Sequence, residues 1–455
     1  MPGASLSRWT MAYFAASCVF LLLAEALLAT GYGYPGAAIE APPTLAVVHL
    51  LTTGWFGMLM SGALLQFVPV LVAKPLKGGS AALPGLAAIV VGEASLVLGF
   101  MLMDRGGAFA APLLSFGALG LSAGYLTIAG IVGITLASAW PLAQPAQFVG
   151  LGLVALLATL GLGATFALVL SGYLPSSWTG FLPAGLPLHA ALGLGGWLTV
   201  TAVGVSYKLL PMFLLSPDSA FRGARRVWLA GAASIAMLLV ALFLSVNDGE
   251  AGFVRSTLTL ALVFSLAALG LYAVDLHAIY HARRRPKLEL NSLASIAAFA
   301  ALFIGAGWFG VAAVVGRLSS DIVGIVYLLG FGWLTGLGLA KLFKIIPFLT
   351  WLECYGPILG RVPTPRVQDL VSESRGRRWF LLFHAGVLLS TLALALDQPL
   401  LFRAGAGLQF GASLALVAEF LRMRRLMELA PDKRLPGGAI RPNFFLPSLQ
   451  PTRSR

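Results

Sequence analysis

The sequence predicts an all-α integral membrane protein of about twelve transmembrane helices in three pseudo-repeated four-helix arcs. Three observations carry that expectation. The first is composition. Of 455 residues, 58% are hydrophobic and only 10% charged, with a mean hydropathy of +0.90. A soluble domain of that length cannot hide so much apolar surface. The second is the recurrence of apolar runs of about twenty residues, long enough to cross a bilayer of roughly 30 Å as helices. The third is a repeated segment: GWFGMLMSGALLQFVP (Gly54 to Pro69), GWLTVTAVGVSYKLLP (Gly196 to Pro211) and GWLTGLGLAKLFKIIP (Gly332 to Pro347). Each opens with Gly-Trp, carries a small residue at Gly62, Gly204 or Ala340, and closes on Pro. A polar or basic residue (Gln66, Lys208, Lys344) lies one turn before that Pro.

The elements follow in order. The first span, 9–31, is preceded by a single basic residue, Arg8. It is longer than a secretory h-region and no clear small-residue cleavage site follows it, so it reads as a retained helix. The remaining spans are 45–73, 82–103, 111–139, 147–172, 187–215, 226–246, 253–281, 292–316, 322–351, 379–396 and 401–425. The repeated segments fall in the second, sixth and tenth. That spacing makes one membrane domain of three units, roughly 1–145, 146–290 and 291–430, with a tail over 431–455.

The charges are placed unevenly. Lys74 and Lys77 follow helix 2; Arg222, Arg225 and Arg226 follow helix 6; Arg283, Arg284, Arg285 and Lys287 follow helix 8. Arg361, Arg366, Arg375, Arg377 and Arg378 separate helices 10 and 11, and Arg422, Arg424 and Arg425 close helix 12. All fall on one side if both termini are cytoplasmic, the positive-inside pattern of a multi-pass protein of a bacterial-type inner membrane. The net charge of +13 is therefore a topology signal and gives no reason to expect nucleic acid; the expected partner is the lipid bilayer. The two cysteines, Cys18 and Cys354, are far apart and form no Cys-x-x-Cys, which argues against a thiolate metal site.

The repeat has a plain physical reading. A Gly and a small residue two turns later lie on nearly one helix face and let a neighbouring helix, or a flat macrocycle, approach the backbone. Histidines add chemistry. His49 and His189 lie just upstream of the first two repeats, near the outer ends of helices 2 and 6. Imidazole is a common ligand of heme iron, copper and zinc. Two imidazoles at one depth in related helices make His49 and His189 the candidate cofactor ligands.

These residues resemble subunit I of the heme-copper oxidase superfamily, including its nitric oxide reductase branch. That family has twelve helices in three pseudo-repeated arcs, with a heme-ligating His near the outer start of helix 2 and a copper-ligating His at the start of helix 6. His49 followed by Gly54, Gly62 and Pro69, and His189 followed by Gly196, Gly204, Tyr207 and Pro211, match that plan. The resemblance implies heme b, with copper or another transition metal possible. It also implies electron transfer, nitric oxide response or support of a respiratory complex, with other respiratory-chain subunits or a periplasmic electron carrier as partners. The twelve-helix hemoproteins of bacterial nitric oxide response are similar in plan. Two departures limit the implication. Helix 7, RRVWLAGAASIAMLLVALFLS, lacks the family's copper-ligating histidines, and DIVGIVYLLGFGWLTG in helix 10 lacks its His-x-His. A complete heme–copper centre cannot be built from the five histidines, so terminal oxidase activity is not expected.

Other groups remain as candidates. His277 and His281 share a helix face at i,i+4, and His384, read as lying near the same inner side, is a possible third metal ligand; an interfacial polar helix end is the plainer reading. Glu25, Glu93 and Asp275 are acids within spans, where ionisable groups are candidate relays or ion partners by default. Lys208 joins Glu25 and Glu93 as a possible proton or ion relay, against the simpler reading that it snorkels to headgroups. A small-substrate transporter or permease working through these three groups is the alternative function, and an accessory subunit without cofactor is a third.

Overall fold

The apolar runs wind into helices because a bilayer offers backbone groups no other partner, and the computed structural model bears this out. It describes residues 9–217, 223–247 and 249–436; of the basic residues used for topology, Arg8 and Arg222 lie outside them. Among the described residues there is no strand, and twelve helices are long and apolar enough to cross a membrane. They are α1 (Thr10–Thr30), α2 (Pro42–Val72), α3 (Gly79–Asp104), α4 (Ala110–Ala137), α5 (Gln144–Leu170) and α6 (Ser177–Leu214). The chain continues through α7 (Ala224–Val246), α8 (Ala251–His281), α9 (Leu290–Val314), α10 (Leu318–Ile358), α11 (Glu373–Ala395) and α12 (Pro399–Arg424).

Hairpins α3/α4, α7/α8 and α11/α12 are the most closely packed neighbours, and α1 lies against both α2 and α12, which joins the first arc to the last. The apolar stretches of α2 and α10 are each 67% buried, against 22% for α7 and α8, so the first pair is central and the second peripheral. The α3/α4 contact depends on glycine: a Cβ on Gly92 would come within 2.5 Å of the Leu121 backbone nitrogen. Cys18 and Cys354 are buried free thiols.

The three repeats share a feature that hydropathy does not reveal. Each helix widens into a π-helical segment around its Gly-Trp: Leu50–Gly57 in α2, Ala191–Thr199 in α6 and Leu328–Thr335 in α10. Extra-wide turns of this kind occur mostly at functional or strained places in helices. The small-residue face of each repeat is filled by the helix before it. Gly54 and Gly62 meet Phe20 and Tyr13 of α1, Gly196 and Gly204 meet Ala155 and Phe148 of α5, and Gly332 meets Ala301 of α9. Close helix packing is thus what the glycines serve; that face is not open to a macrocycle.

Candidate functional site

His49 is the last residue of the α-helical entry to α2, directly before the π segment. Its Nδ1 lies 2.7 Å from the Leu45 carbonyl oxygen, and its ring packs against Phe100 of α3 at 5.3 Å. His189 lies in the corresponding stretch of α6, shortly before Ala191–Thr199, but precedes Gly196 by seven positions where His49 precedes Gly54 by five. Its Nδ1 lies 3.1 Å from the Thr159 carbonyl oxygen of α5, and Phe166 stands edge-on to it at 5.6 Å. A carbonyl can only accept, so in a neutral ring Nδ1 carries the hydrogen and Nε2 presents its lone pair. Both rings are half-buried. Gly163 faces His189; a Cβ there would come within 3.1 Å of the ring. The π segments that follow the two histidines touch one another.

A polar cluster lies one turn deeper. The Thr53 hydroxyl, in the π segment of α2, donates to Glu93 of α3 at 2.5 Å and contacts the His49 carbonyl oxygen at 2.8 Å. Tyr125 of α4 donates its hydroxyl to the Thr53 carbonyl. Its ring meets Trp197 of α6 edge-on at 5.5 Å. Two buried atoms here have no hydrogen-bond partner, Glu93 Oε1 and Trp197 Nε1. Thr53 and Tyr125 were not singled out in the sequence. Thr53 lies four residues after His49, one turn on, and that spacing was the available signal.

Glu25 sits apart, in a second network. Gln409 and Ser413 of α12 donate to its Oε1 at 2.7 and 3.0 Å, and Tyr327 of α10 donates to Gln409 Oε1 at 2.9 Å. Glu25 Oε2 is buried without a partner. Tyr327 precedes Gly332 by the same interval that His49 precedes Gly54, so the third repeat carries a phenol where the first carries an imidazole. Asp275 accepts from Tyr207 at 2.8 Å and from the Gly223 backbone at 3.0 Å, tying the start of α7 to α6 and α8.

The remaining candidates do not converge. Lys208 is exposed and lies with neither Glu25 nor Glu93. His277 and His281 are exposed and stacked at 5.9 Å. His384 is not at the basic end of the bundle as expected. Helix α11 begins at Glu373 rather than 379, so His384 lies ~16 Å along it, near mid-span. It packs against Gly336 of α10, whose Cβ would lie 3.0 Å from the imidazole, and its Nε2 is buried without a partner. Among the described residues no group of three or more His, Cys, Asp or Glu side chains is placed to hold a metal ion.

The basic end of the bundle is tied by ion pairs between α11, α12 and the segment after α12. Arg375 bridges Glu419 at 2.8 Å and also reaches Glu428, which pairs with Arg422 at 3.0 Å. Glu428, beyond the end of α12, is pushed up by burial, but the Arg375 and Arg422 guanidiniums pull it below the usual carboxylate range. His49 and His189 lie in the halves of α2 and α6 away from these loops. The chain matches no protein-family model and no curated protein.

Proposed function

We propose that this membrane protein holds a transition metal between His49 and His189, as the iron of heme b or as a bare ion such as copper. On this reading it serves electron transfer, nitric oxide response or support of a respiratory complex at the extracytoplasmic side of a bacterial-type inner membrane. One observation carries the reading. Both rings fix Nδ1 on a backbone carbonyl, Leu45 in one and Thr159 in the other, and both leave Nε2 for a ligand. Metal-ligating histidines are oriented in this way, because the outer hydrogen bond sets the tautomer and raises ring basicity. The donor set fits iron or copper, which imidazole suits. When bound, such a centre supplies one-electron chemistry or a coordination position for a small diatomic molecule. The chain itself orients the two rings, covers them with Phe100 and Phe166, and keeps Thr53 and Glu93 one turn below.

The test is an optical and elemental analysis of detergent-purified protein from heme-replete, copper-replete cells. A Soret band lost in His49→Ala and in His189→Ala identifies heme. Stoichiometric metal without a Soret band, lost in the same variants, identifies a bare ion. Colourless, metal-free protein, or cofactor content unchanged in both variants, overturns the assignment.

A further inference from the structure

The third repeat has no outer histidine, but it carries Lys341 where the first two have Ala63 and Val205, and this lysine faces a different interface. At the basic end, the start of α9, the end of α10 and the loop before α11 enclose a pocket of about 340 Å³ lined by Glu289, Asn291, Arg285, Phe343, Lys344 and Gln368. The Lys344 ammonium donates to Glu289 at 2.6 Å at its mouth. Asn291 is 3% exposed, and its amide nitrogen has no partner. One turn further along α9, Ser295 donates to the Asn291 carbonyl at 2.7 Å and accepts from the Lys341 ammonium at 2.9 Å. The next residue on that face of α9, Ala298, lies beside Gly336, which also faces His384.

We propose that the interface of α9, α10 and α11 is a proton-access route leading from the basic end of the bundle to mid-membrane. It starts in this pocket, follows the Asn291–Ser295–Ala298 face of α9 past Lys341, and ends on His384. The chemistry of the line is what points to protons. Among the described residues no carboxylate hydrogen-bonds Lys341 or His384. The groups facing Lys341 are Ser295 from α9, the Phe213 ring of α6 at 5.8 Å, and Lys344 on its own helix. The nearby carboxylate of Glu289 is engaged by Lys344 and Arg285. His384 faces Gly336 of α10 and Phe383 of its own helix. An amine and an imidazole without counter-ions inside a membrane protein are expensive if permanently charged and serviceable if they exchange protons. The rise from Ser295 to Ala298 is only ~4.5 Å, so the two ionisable groups are about one turn apart in depth. The step is a bare proton transfer. The neutral Lys341 amine accepts a proton from a hydronium ion at the pocket, leaving water; the resulting ammonium releases a proton through water to His384 Nε2, which becomes imidazolium, and the amine returns to its starting form. This route is separate from His49 and His189 and holds whatever those residues bind.

Substituted cysteines test it in the full chain, with Cys18→Ala and Cys354→Ala removing the native thiols. Lys287→Cys marks the basic side, and a membrane-impermeant thiol reagent is added to right-side-out and inverted vesicles. Ser295→Cys and Ala298→Cys are expected to react from the side that labels Lys287→Cys, with labelling lost from the other. Failure to react from either side, or reaction only from the opposite one, overturns the route. Nitrogen-15 histidine NMR in nanodiscs supplies a readout that leaves the line intact, the His384 signal being assigned by its loss in His384→Phe. That signal is expected to titrate between about pH 5 and 9 and to do so more slowly in Lys341→Met. A His384 signal unchanged across that range overturns the proposal.

Discussion

The indole nitrogen of Trp55 donates to the hydroxyl of Thr335, 3.1 Å away on another repeat. Trp333, two residues before Thr335, makes the same bond to Thr199 at 3.3 Å. Each Thr follows the Trp of its own repeat by two positions, so the central helices are linked in sequence, α2 to α10 and α10 to α6. The third link would run from Trp197 to the equivalent residue of α2, which is Gly57. No hydroxyl exists there, and Trp197 Nε1 is left buried and unpartnered. The Tyr125 hydroxyl lies against Gly57 instead, where a Cβ would collide with it. The pseudo-threefold ring is opened at one point, where Tyr125 and Glu93 meet Thr53.

Thr335→Val keeps the shape of the side chain and removes the acceptor for Trp55. A buried indole N–H without a partner costs about 1–3 kcal/mol. The variant is therefore expected to unfold at lower temperature in detergent than the wild type. A control, Thr127→Val, changes an exposed hydroxyl that bonds only its own helix and is expected to stay within about 0.5 kcal/mol. Equal melting of the two variants would count against the ring as a stabilising device.

Gly57→Ala tests the open side. The added methyl must displace the Tyr125 hydroxyl and break its bond to the Thr53 carbonyl. Overpacking together with a lost buried hydrogen bond is expected to cost about 2–4 kcal/mol. The double variant Gly57→Ala/Tyr125→Phe should recover part of the loss, because the colliding oxygen is gone. Thermal unfolding of the two variants side by side checks this.

The spans were legible because twenty-residue apolar runs have one stable solution in lipid, and the repeat was legible because Gly-Trp and Pro recur at fixed spacing. The π segments were not, since Leu-Leu-Thr-Thr-Gly-Trp carries no local mark of a wider turn. His49 and His189 stood out as rare residues at matching places. Thr53 and Tyr125 did not, because a lone hydroxyl in an apolar helix usually bonds its own backbone, as Thr52 and Thr127 do here. The depth of His384 was misjudged because arginines 375, 377 and 378 read as loop. They belong to the first turns of α11, where Arg375 is held by Glu419 and Glu428. Lys208 and Lys344 hold equivalent repeat positions yet differ in surroundings, one exposed and one paired with Glu289, since only α10 has α9's acidic start beside it.

That pair gives a pH prediction. Burial alone would raise the Glu289 carboxyl, but the Lys344 ammonium, then Arg285, then Gln368, bring it below its ordinary value of 4.5. A depressed carboxylate contributes stability that is present above the ordinary value and is lost as pH falls through the folded one. Lys344→Met is therefore expected to cost about 1–3 kcal/mol at neutral pH, with the gap to wild type shrinking below about pH 4. Melting curves taken from pH 7 down to pH 3 read this directly; a gap that widens in acid has the wrong sign.

Lys208→Ala separates the cofactor reading from the transporter alternative. The residue is exposed and touches neither acid of the proposed relay. Its removal is expected to leave stability within about 0.5 kcal/mol and cofactor content unchanged. Substrate uptake into proteoliposomes that vanishes in Lys208→Ala but survives His49→Ala would instead favour a permease.

The Glu25 network makes the sharpest demand on cooperativity. Gln409 donates to Glu25 and accepts from Tyr327, so it is satisfied only while both neighbours are present. Tyr327→Phe leaves the Gln409 carbonyl unpaired, and Gln409→Leu leaves Glu25 Oε1 with Ser413 alone and takes away the acceptor of the Tyr327 hydroxyl. Each single change is expected to cost about 1–3 kcal/mol. The double variant removes donor and acceptor together, so its cost should fall short of the sum by about 1 kcal/mol or more. Strict additivity in a double-mutant cycle would mean that the three side chains do not act as one chain across α1, α10 and α12.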